Sequence, residues 1–325
     1  MKLRNLAGVR WRNWTTPGEE RSEAACDGTS NFVGAFASLA RLGALISPPT
    51  DPPKRTALAS PLRMTLFVSD LHLGRGSREA TREAEQDAIS LLESYETEIV
   101  DEGGRLVLLG DVFHEWIEYK HLVPKRGLRL LGLLAGWCDA GAEVHYLVGN
   151  RDPWHVDWME HEVGVRLHRG AWTPEIEGVR TYIGHGDGLR HPQRAASRFL
   201  HRLQPLVRHP HTARLYRTLL PGDTGFALAR WVSRTFGSEG TPALRSHLDL
   251  TEAAHTILAT TDAEMVVLGH SHQHALDAAP GGTYLNPGYW FGARTFARMT
   301  RLGPELLQWS GTEAIPLTSP ALATA

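Results

Sequence analysis

Residues able to bind metal recur at one kind of place in this chain, just after a short apolar run and usually behind a glycine or serine. Leu66-Phe67-Val68 leads to Asp70 and His72, and Leu106 to Leu109 leads to Gly110-Asp111. Tyr146 to Val148 leads to Gly149-Asn150-Arg151-Asp152, Tyr182-Ile183 to Gly184-His185, and Val266 to Leu268 to Gly269-His270-Ser271-His272. Imidazoles and carboxylates with one amide oxygen suit borderline ions such as manganese, iron or zinc, and the lack of thiolate argues against a structural zinc site. Asp70, Asp111, Asn150, His72, His185, His270 and His272 make seven such side chains, which exceed the needs of one ion and fit two ions sharing a carboxylate. Two ions about 4 Å apart are the standard device for activating water against phosphorus. Any one of these histidines alone reads as structural; five run ends all bearing ligand types do not.

The elements that must position them follow from the same runs. Near-continuous apolar segments are what strands buried on both faces look like. Helical stretches at 78–100, 124–140 and 246–260 separate them, so the alternation predicts a largely parallel α/β sheet with a ligand crevice at its carboxyl edge. If the strands continue, Asp70 and His72 point to one side, and His270 with His272 repeat the pattern. The glycines let the chain turn there without a Cβ in the site.

Composition sets the outer limits. The 325 residues make about two domains, or one α/β domain with additions. A net charge of −2 gives no bulk reason to expect nucleic acid. Cys26 and Cys138 are the only cysteines, which excludes a disulfide scaffold and makes a reducing cytoplasm the default compartment. No run approaches 18 uncharged apolar residues. Residues 1–62 are polar or broken by Ser47-Pro-Pro-Thr-Asp-Pro-Pro53 and read as a weakly ordered or disordered extension, with Met64 as a candidate natural start.

In order along the chain, Asp70-x-His72, Gly110-Asp111, Gly149-Asn150-x-Asp152, Gly184-His185 and Gly269-His270-x-His272 resemble the calcineurin-like metallophosphoesterases over about residues 64 to 300. The resemblance implies an α+β fold, a β-sandwich of mixed sheets flanked by helices, rather than the parallel sheet of the periodicity. It also implies Asp70, His72 and His272 on one ion, Asn150, His185 and His270 on the other, and Asp111 between them. Where most of that family has histidine this chain has Arg151, as in the branch that hydrolyses UDP-2,3-diacylglucosamine. A phosphate leaving from a pyrophosphate needs little protonation, so a fixed positive charge serves better there than an acid. Arg151, Asp152 and Asn150 are accordingly the expected catalytic group.

Residues 190–245 form an insertion far longer than an ordinary connection. Arg190, Arg194, Arg198 and Arg202 recur every four residues, along one helical face, with Phe199, Leu203, Tyr216, Phe226 and Trp231 among the apolar residues. A helical cap of this kind suits phosphates, acyl chains or a membrane surface, and Arg194, Arg198, Arg202, Phe199 and Trp231 are the expected substrate contacts. The catalytic domain is then 63–189 with 246–310, followed by a tail at 311–325. Two features depart from the lipid hydrolases or do not discriminate: Gln273-His274 follows the last motif, and Thr283 to Trp290 carries an Asn-x-Gly turn common across the wider family.

The expected protein is therefore a two-ion hydrolase of phosphoric ester or pyrophosphate bonds. Manganese is the first choice of metal, with iron, zinc or magnesium as alternatives. The expected substrate is UDP-2,3-diacylglucosamine, cut to UMP and the acylated sugar 1-phosphate at the cytoplasmic face of an inner membrane with an anionic surface. Another phosphodiesterase or nucleotide pyrophosphatase is the alternative within the class. A non-catalytic scaffold is the alternative outside it, and the intact ligand set opposes that reading.

Overall fold

In the computed structural model, residues 63–189, 209–236 and 243–317 are described; the expected N-terminal extension, and Arg194, Arg198, Phe199 and Arg202 of the expected cap, lie outside them. Twelve strands form two sheets among the described residues. In the first, β1 (Thr65–Val68), β2 (Arg105–Leu108), β3 (Glu143–Leu147) and β4 (Arg166–His168) run parallel. Strands β10 (Thr295–Thr300), β11 (Gly303–Trp309) and β12 (Ala314–Pro316) extend that sheet from β1 in antiparallel pairs. In the second sheet β6 (Val179–Gly184), β7 (Met265–Leu268) and β9 (Gly282–Asn286) are parallel, with β5 (Glu175–Ile176) and β8 (Ala275–Ala279) antiparallel at the edges.

The apolar runs are continuous because each strand feeds two cores. Phe67, Val107, Leu109, Met265 and Val267 meet between the sheets. Their neighbours Leu66, Val68, Leu106 and Leu108 face the helices α1 (Arg78–Glu93) and α2 (Leu128–Asp139). On the far side Val266 and Leu268 face Leu250, Ala254 and Leu258 of the helix Ala243–Thr260. The layers are thus helices, sheet, sheet, helix, which corrects the purely parallel reading in favour of the mixed sandwich. Mixed pairing was hidden because a two-sided strand shows no alternation, whatever its direction.

Helix boundaries also shift for local reasons. Residues 78–100 read as one helix because Tyr95 and Ile99 continue the apolar stripe. The helix ends at Glu93, where Ser94 donates its hydroxyl to the Leu91 carbonyl (2.6 Å) and a short π-turn, Thr97–Asp101, follows. Helix α2 starts at Leu128 rather than Pro124, since Gly127 takes a left-handed φ of 74°. The buried Glu85 of α1 accepts from the Arg129 and Leu130 amides there (2.9 and 3.3 Å), so a neighbouring helix supplies the cap.

Two helices of the expected insertion are described, α3 (Pro210–Leu219) and α4 (Gly222–Phe236), and α5 (Ala243–Thr260) returns the chain to the second sheet three residues before the expected start. The hairpin rests on loops that leave the site: Tyr216 lies 4.4 Å from Trp154 and Phe226 6.2 Å from Tyr119, between ring centroids. The expected tail at 311 is cut too early, because Gln308 pairs with Ile315 and Trp309 with Ala314 in the outer strand.

Candidate metal centre

The five strand ends converge at one edge of the sandwich, and the chain there is held in an unusual backbone. Asp70, His72, Asp111, His270 and His272 all have positive φ, between 44° and 65°. Left-handed conformations cost non-glycine residues roughly 1–3 kcal/mol each and persist only where the surroundings enforce them. The strands therefore stop before the ligands, and the two-residue alternation expected of a continuing strand is replaced by tight turns that still aim both members of each pair inward.

The enforcing contacts are backbone hydrogen bonds between loops. His72 donates its amide to the Asp111 carbonyl (2.8 Å), and Asp70 to that of Gly110 (3.2 Å). From the far end of the chain, Trp290 and Phe291 donate to the carbonyls of Ser69 and Asp70. Gly149 packs so closely on Asp111 that a Cβ would lie 2.1 Å from Asp111 Oδ1; at Gly269 it would lie 2.1 Å from Ser69 Oγ. Any side chain at either position would enter the ligand cluster.

Two groups of three side chains each place their ligand atoms within 4.8 Å of one another: Asp70, His72 and His272, and Asp70, Asp111 and His185. The Nε2 atoms of His72 and His272 are 3.1 Å apart, and Asp70 Oδ1 is 3.5 and 3.2 Å from them. Asp70 is common to both groups. Asp111 Oδ2 also faces both halves, 3.8 Å from His72 Nε2 and 3.5 Å from His185 Nε2. Asn150 Oδ1 lies 3.1 Å from His185 Nε2, and the His270 ring crosses that of His185 at 5.2 Å between centroids. All seven expected ligand residues are thus in one cluster.

Its electrostatics call for a cation. Burial alone would raise the pKa of Asp70 and Asp111, yet the surrounding imidazoles hold both below the ordinary carboxylate range. Burial opposes a charge on His185, but Asp111 and Asp70 outweigh it and push its pKa to about 10. Two fully buried carboxylates without a counter-charge would be very costly, and a divalent ion meets that need more fully than one shared proton. Asp70 Oδ1 is also buried with no hydrogen-bond donor, as is the other ring nitrogen of His72. His185 Nδ1 donates to the Leu109 carbonyl (2.7 Å), which in the neutral ring leaves the Nε2 lone pair facing the cluster. Oxygen and nitrogen donors of this kind fit divalent metals.

Asp152, expected in the catalytic group, has its carboxylate held by the fold. It is fully buried; Oδ2 accepts from the Tyr146 hydroxyl (2.6 Å) and the Phe113 amide (3.4 Å), and Oδ1 from the Gly149 amide (2.8 Å). Burial and the nearby Asp111 raise its pKa to about 6. It anchors the loop that carries Asn150 and Arg151. The Arg151 amide donates to Asp111 Oδ1 (2.7 Å), tying the same loop to the cluster. Trp231 is 59% exposed on α4.

Sequence reasoning gave little weight to the residues that hold the last motif. Asn286 donates to the Gly269 carbonyl (3.0 Å) and Ser271 Oγ (3.1 Å) and accepts from the Gly288 amide (2.9 Å), which locks the His270–His272 turn. Tyr289 stacks flat on His272 at 4.2 Å and 2°. The Asn-x-Gly spacing was the available signal. His114 crosses His72 at 5.6 Å, and burial, then His72 and Arg151, hold its pKa near 3. His155 is fully buried, stacked on Trp116, and burial lowers its pKa to about 3.

No protein-family model matches the chain. Among curated proteins it is similar to the UDP-2,3-diacylglucosamine hydrolase of Porphyromonas gingivalis, 32% identical over 155 residues, 48% of this chain and 56% of that protein. The matched region thus spans just over half of that relative's length. The hydrolases of the same name from Nitrosococcus oceani and Ralstonia nicotianae are 29% and 27% identical, over 65% and 72% of this chain and 80% and 87% of theirs. Among solved structures, the phosphoesterase YfcE of E. coli aligns over 78% of this chain and 96% of its own, with 14% identity and a TM-score of 0.40. Vacuolar protein sorting 29 of Cryptosporidium parvum aligns over 79% and 97%, with 13% identity and a TM-score of 0.38. By sequence, the chain is similar to curated bacterial UDP-2,3-diacylglucosamine hydrolases.

Proposed function

We propose that the chain is a metal-dependent hydrolase that cuts the pyrophosphate of UDP-2,3-diacylglucosamine into UMP and 2,3-diacylglucosamine 1-phosphate. The observation that carries the reading is the single cluster of seven oxygen and nitrogen ligands from five strand ends, with Arg151 on the loop beside it. The names of the sequence relatives support the substrate.

Asp70, His72 and His272 would hold one ion and Asn150, His185 and His270 a second, with Asp111 between the halves; manganese is our first choice. Bound there, the ions would supply Lewis-acid activation of water and neutralise charge at phosphorus. The chain does the rest. Asp152 and the Asp111–Arg151 hydrogen bond fix the Asn150 loop. The Arg151 guanidinium supplies permanent charge to phosphoryl oxygens. Water's oxygen ends on the α-phosphorus as UMP, and its protons pass to bulk solvent. The P–O bond to the bridging oxygen breaks, and that oxygen leaves with the sugar 1-phosphate, which as a stable anion needs no general acid.

The cap gives the lipid part of the reading. Arg194, Arg198 and Arg202 would meet anionic groups, and Phe199 and Trp231 the acyl chains, at a membrane surface facing the cytoplasm. Each methylene buried there contributes about 0.8 kcal/mol. The deciding test is metal analysis of protein purified without added metal, then kcat/KM for UDP-2,3-diacylglucosamine against UDP-glucosamine. A large preference for the acylated substrate is expected. Equal values would reject the lipid substrate and leave a general nucleotide pyrophosphatase.

A further inference from the structure

Arg75 lies three residues beyond His72, in the loop between β1 and α1. Its amide donates to the His72 carbonyl (2.9 Å) and its carbonyl accepts from Thr81 Oγ1 (3.0 Å), so its backbone is fixed on both sides. Its guanidinium carbon lies 5.9 Å from the centroid of the Tyr289 ring. That ring is the one stacked on His272, and it also crosses His72 at 5.9 Å. Tyr289 has little freedom. Its amide donates to Thr295 Oγ1 (2.9 Å), and a Cβ on Gly292 would come within 2.3 Å of its ring. Arg75 is therefore carried on a rigid aromatic spacer beside the Asp70, His72 and His272 half of the cluster.

Other arginines near buried surface are already engaged. Arg294 pairs with Asp87 at 2.6 Å, Arg217 faces Glu118 at 3.7 Å, and Arg105 pairs with Glu143 at 2.8 Å. Arg75 is also half-buried, yet among the described residues no carboxylate lies within 4.0 Å of it. A guanidinium that stacks on an aromatic face keeps its N–H fork free for a planar or tetrahedral anion. Arg151 is tied through its amide to Asp111, whereas Arg75 stands on the loop after His72 beside Tyr289, so the two arginines reach the cluster from different loops.

We propose that Arg75, seated on Tyr289, forms a second anion subsite, which takes the phosphoryl group of a pyrophosphate that is not attacked, while Arg151 serves the attacked one. The proposal rests on the hydrolase reading above. When the bridging P–O bond breaks, the departing phosphate gains one negative charge. Arg75 would thus hold the product side more tightly in the transition state than in the ground state.

The experiment compares Arg75→Ala and Arg75→Lys with the parent, all with manganese supplied. One readout is kcat/KM on UDP-2,3-diacylglucosamine and on bis(4-nitrophenyl) phosphate, which has a single phosphorus. The other is calorimetric affinity for imidodiphosphate against inorganic phosphate. Loss of one charge-assisted contact should lower the pyrophosphate values about 10- to 100-fold, with a much smaller change for the single-phosphorus probes. Arg75→Lys should recover most of the loss. Equal losses on both kinds of probe, or no loss on either, would overturn the subsite. If the parent cleaves the aryl diester but not UDP-2,3-diacylglucosamine, the substrate reading fails. The imidodiphosphate comparison then still decides Arg75.

Discussion

The floor of the site and the hairpin above it are built on opposite principles. On the floor, Asp70, His72, Asp111 and His185 are buried, and five ligand residues are held in left-handed backbone by bonds between loops. On the hairpin, Leu215, Leu219, Leu228 and Trp231 stand exposed, and its contacts to the body include the Tyr216–Trp154 and Phe226–Tyr119 ring pairs and Arg217 against Glu118. On the function proposed above, chemistry at phosphorus would tolerate little displacement of these floor residues, and their backbone is closely constrained. Recognition of a long apolar substrate would, on the same proposal, use a surface that can open and re-pack.

The sharpest way to break this contrast is at the floor. Asp111→Ala is expected to abolish turnover and lower bound metal, read by hydrolysis and elemental analysis; full activity with unchanged metal would end the two-ion reading. Next comes Asp152→Ala, which strands the Gly149 amide and the Tyr146 hydroxyl. Metal affinity or activity should fall about 10- to 100-fold, with roughly 1–3 kcal/mol of stability lost per stranded group. Asp152→Asn should keep more of both.

Between floor and hairpin stands Glu118. It is buried, accepts from the amides of Val156 (2.7 Å), Asp157 (3.1 Å) and Trp158 (3.2 Å), and faces Arg217 of α3. Glu118→Gln should raise KM several-fold for the acylated substrate with kcat changed less, because it loosens the hairpin's seat and leaves the metal ligands in place. An equal fall in kcat for the aryl diester would place Glu118 with the floor instead.

Acid gives a smaller, cleaner test. The pKa of His155 is lowered from its ordinary value to about 3 by burial. A base with a depressed folded pKa adds stability above pH 6.5, and that stability drains as pH falls toward 3, at most about 1.4 kcal/mol per unit. His155→Phe keeps a ring on Trp116 and removes the proton, so its Tm should fall less than the parent's between pH 7 and 4.5. The smallest effect is expected for Trp231→Ala. Stability should stay within about 0.5 kcal/mol, as is usual for surface sites, and only the acylated substrate should lose affinity.

Much of the floor was legible because its signal is local: an apolar run, a small residue, a ligand. The hairpin was legible as an insertion. What stayed hidden depends on partners distant in sequence. Nothing in the run Gly149 to Asp152 says that Asp152 turns inward to Tyr146 while Asn150 turns to His185. Glu85 and Glu118 belong to no motif in the sequence, yet each serves backbone amides of a segment about 40 residues away. Strands β10 to β12 carry no ligands and drew no notice, although β10 is the neighbour that completes the pairing of β1.

That last pairing has a bearing on how the chain comes to be folded. Two hundred residues separate His72 from His272, and 206 separate the Ala84 carbonyl from the Trp290 indole that donates to it. During synthesis from the N-terminus, Leu66, Phe67 and Val68 emerge early and wait for β10, the Asn286 clamp and the Trp290 turn, all made late. Contacts of such span are slow to form and leave an unpaired apolar strand edge exposed in the meantime. The same closure that makes the centre rigid thus leaves β1 dependent on protection while the chain is incomplete.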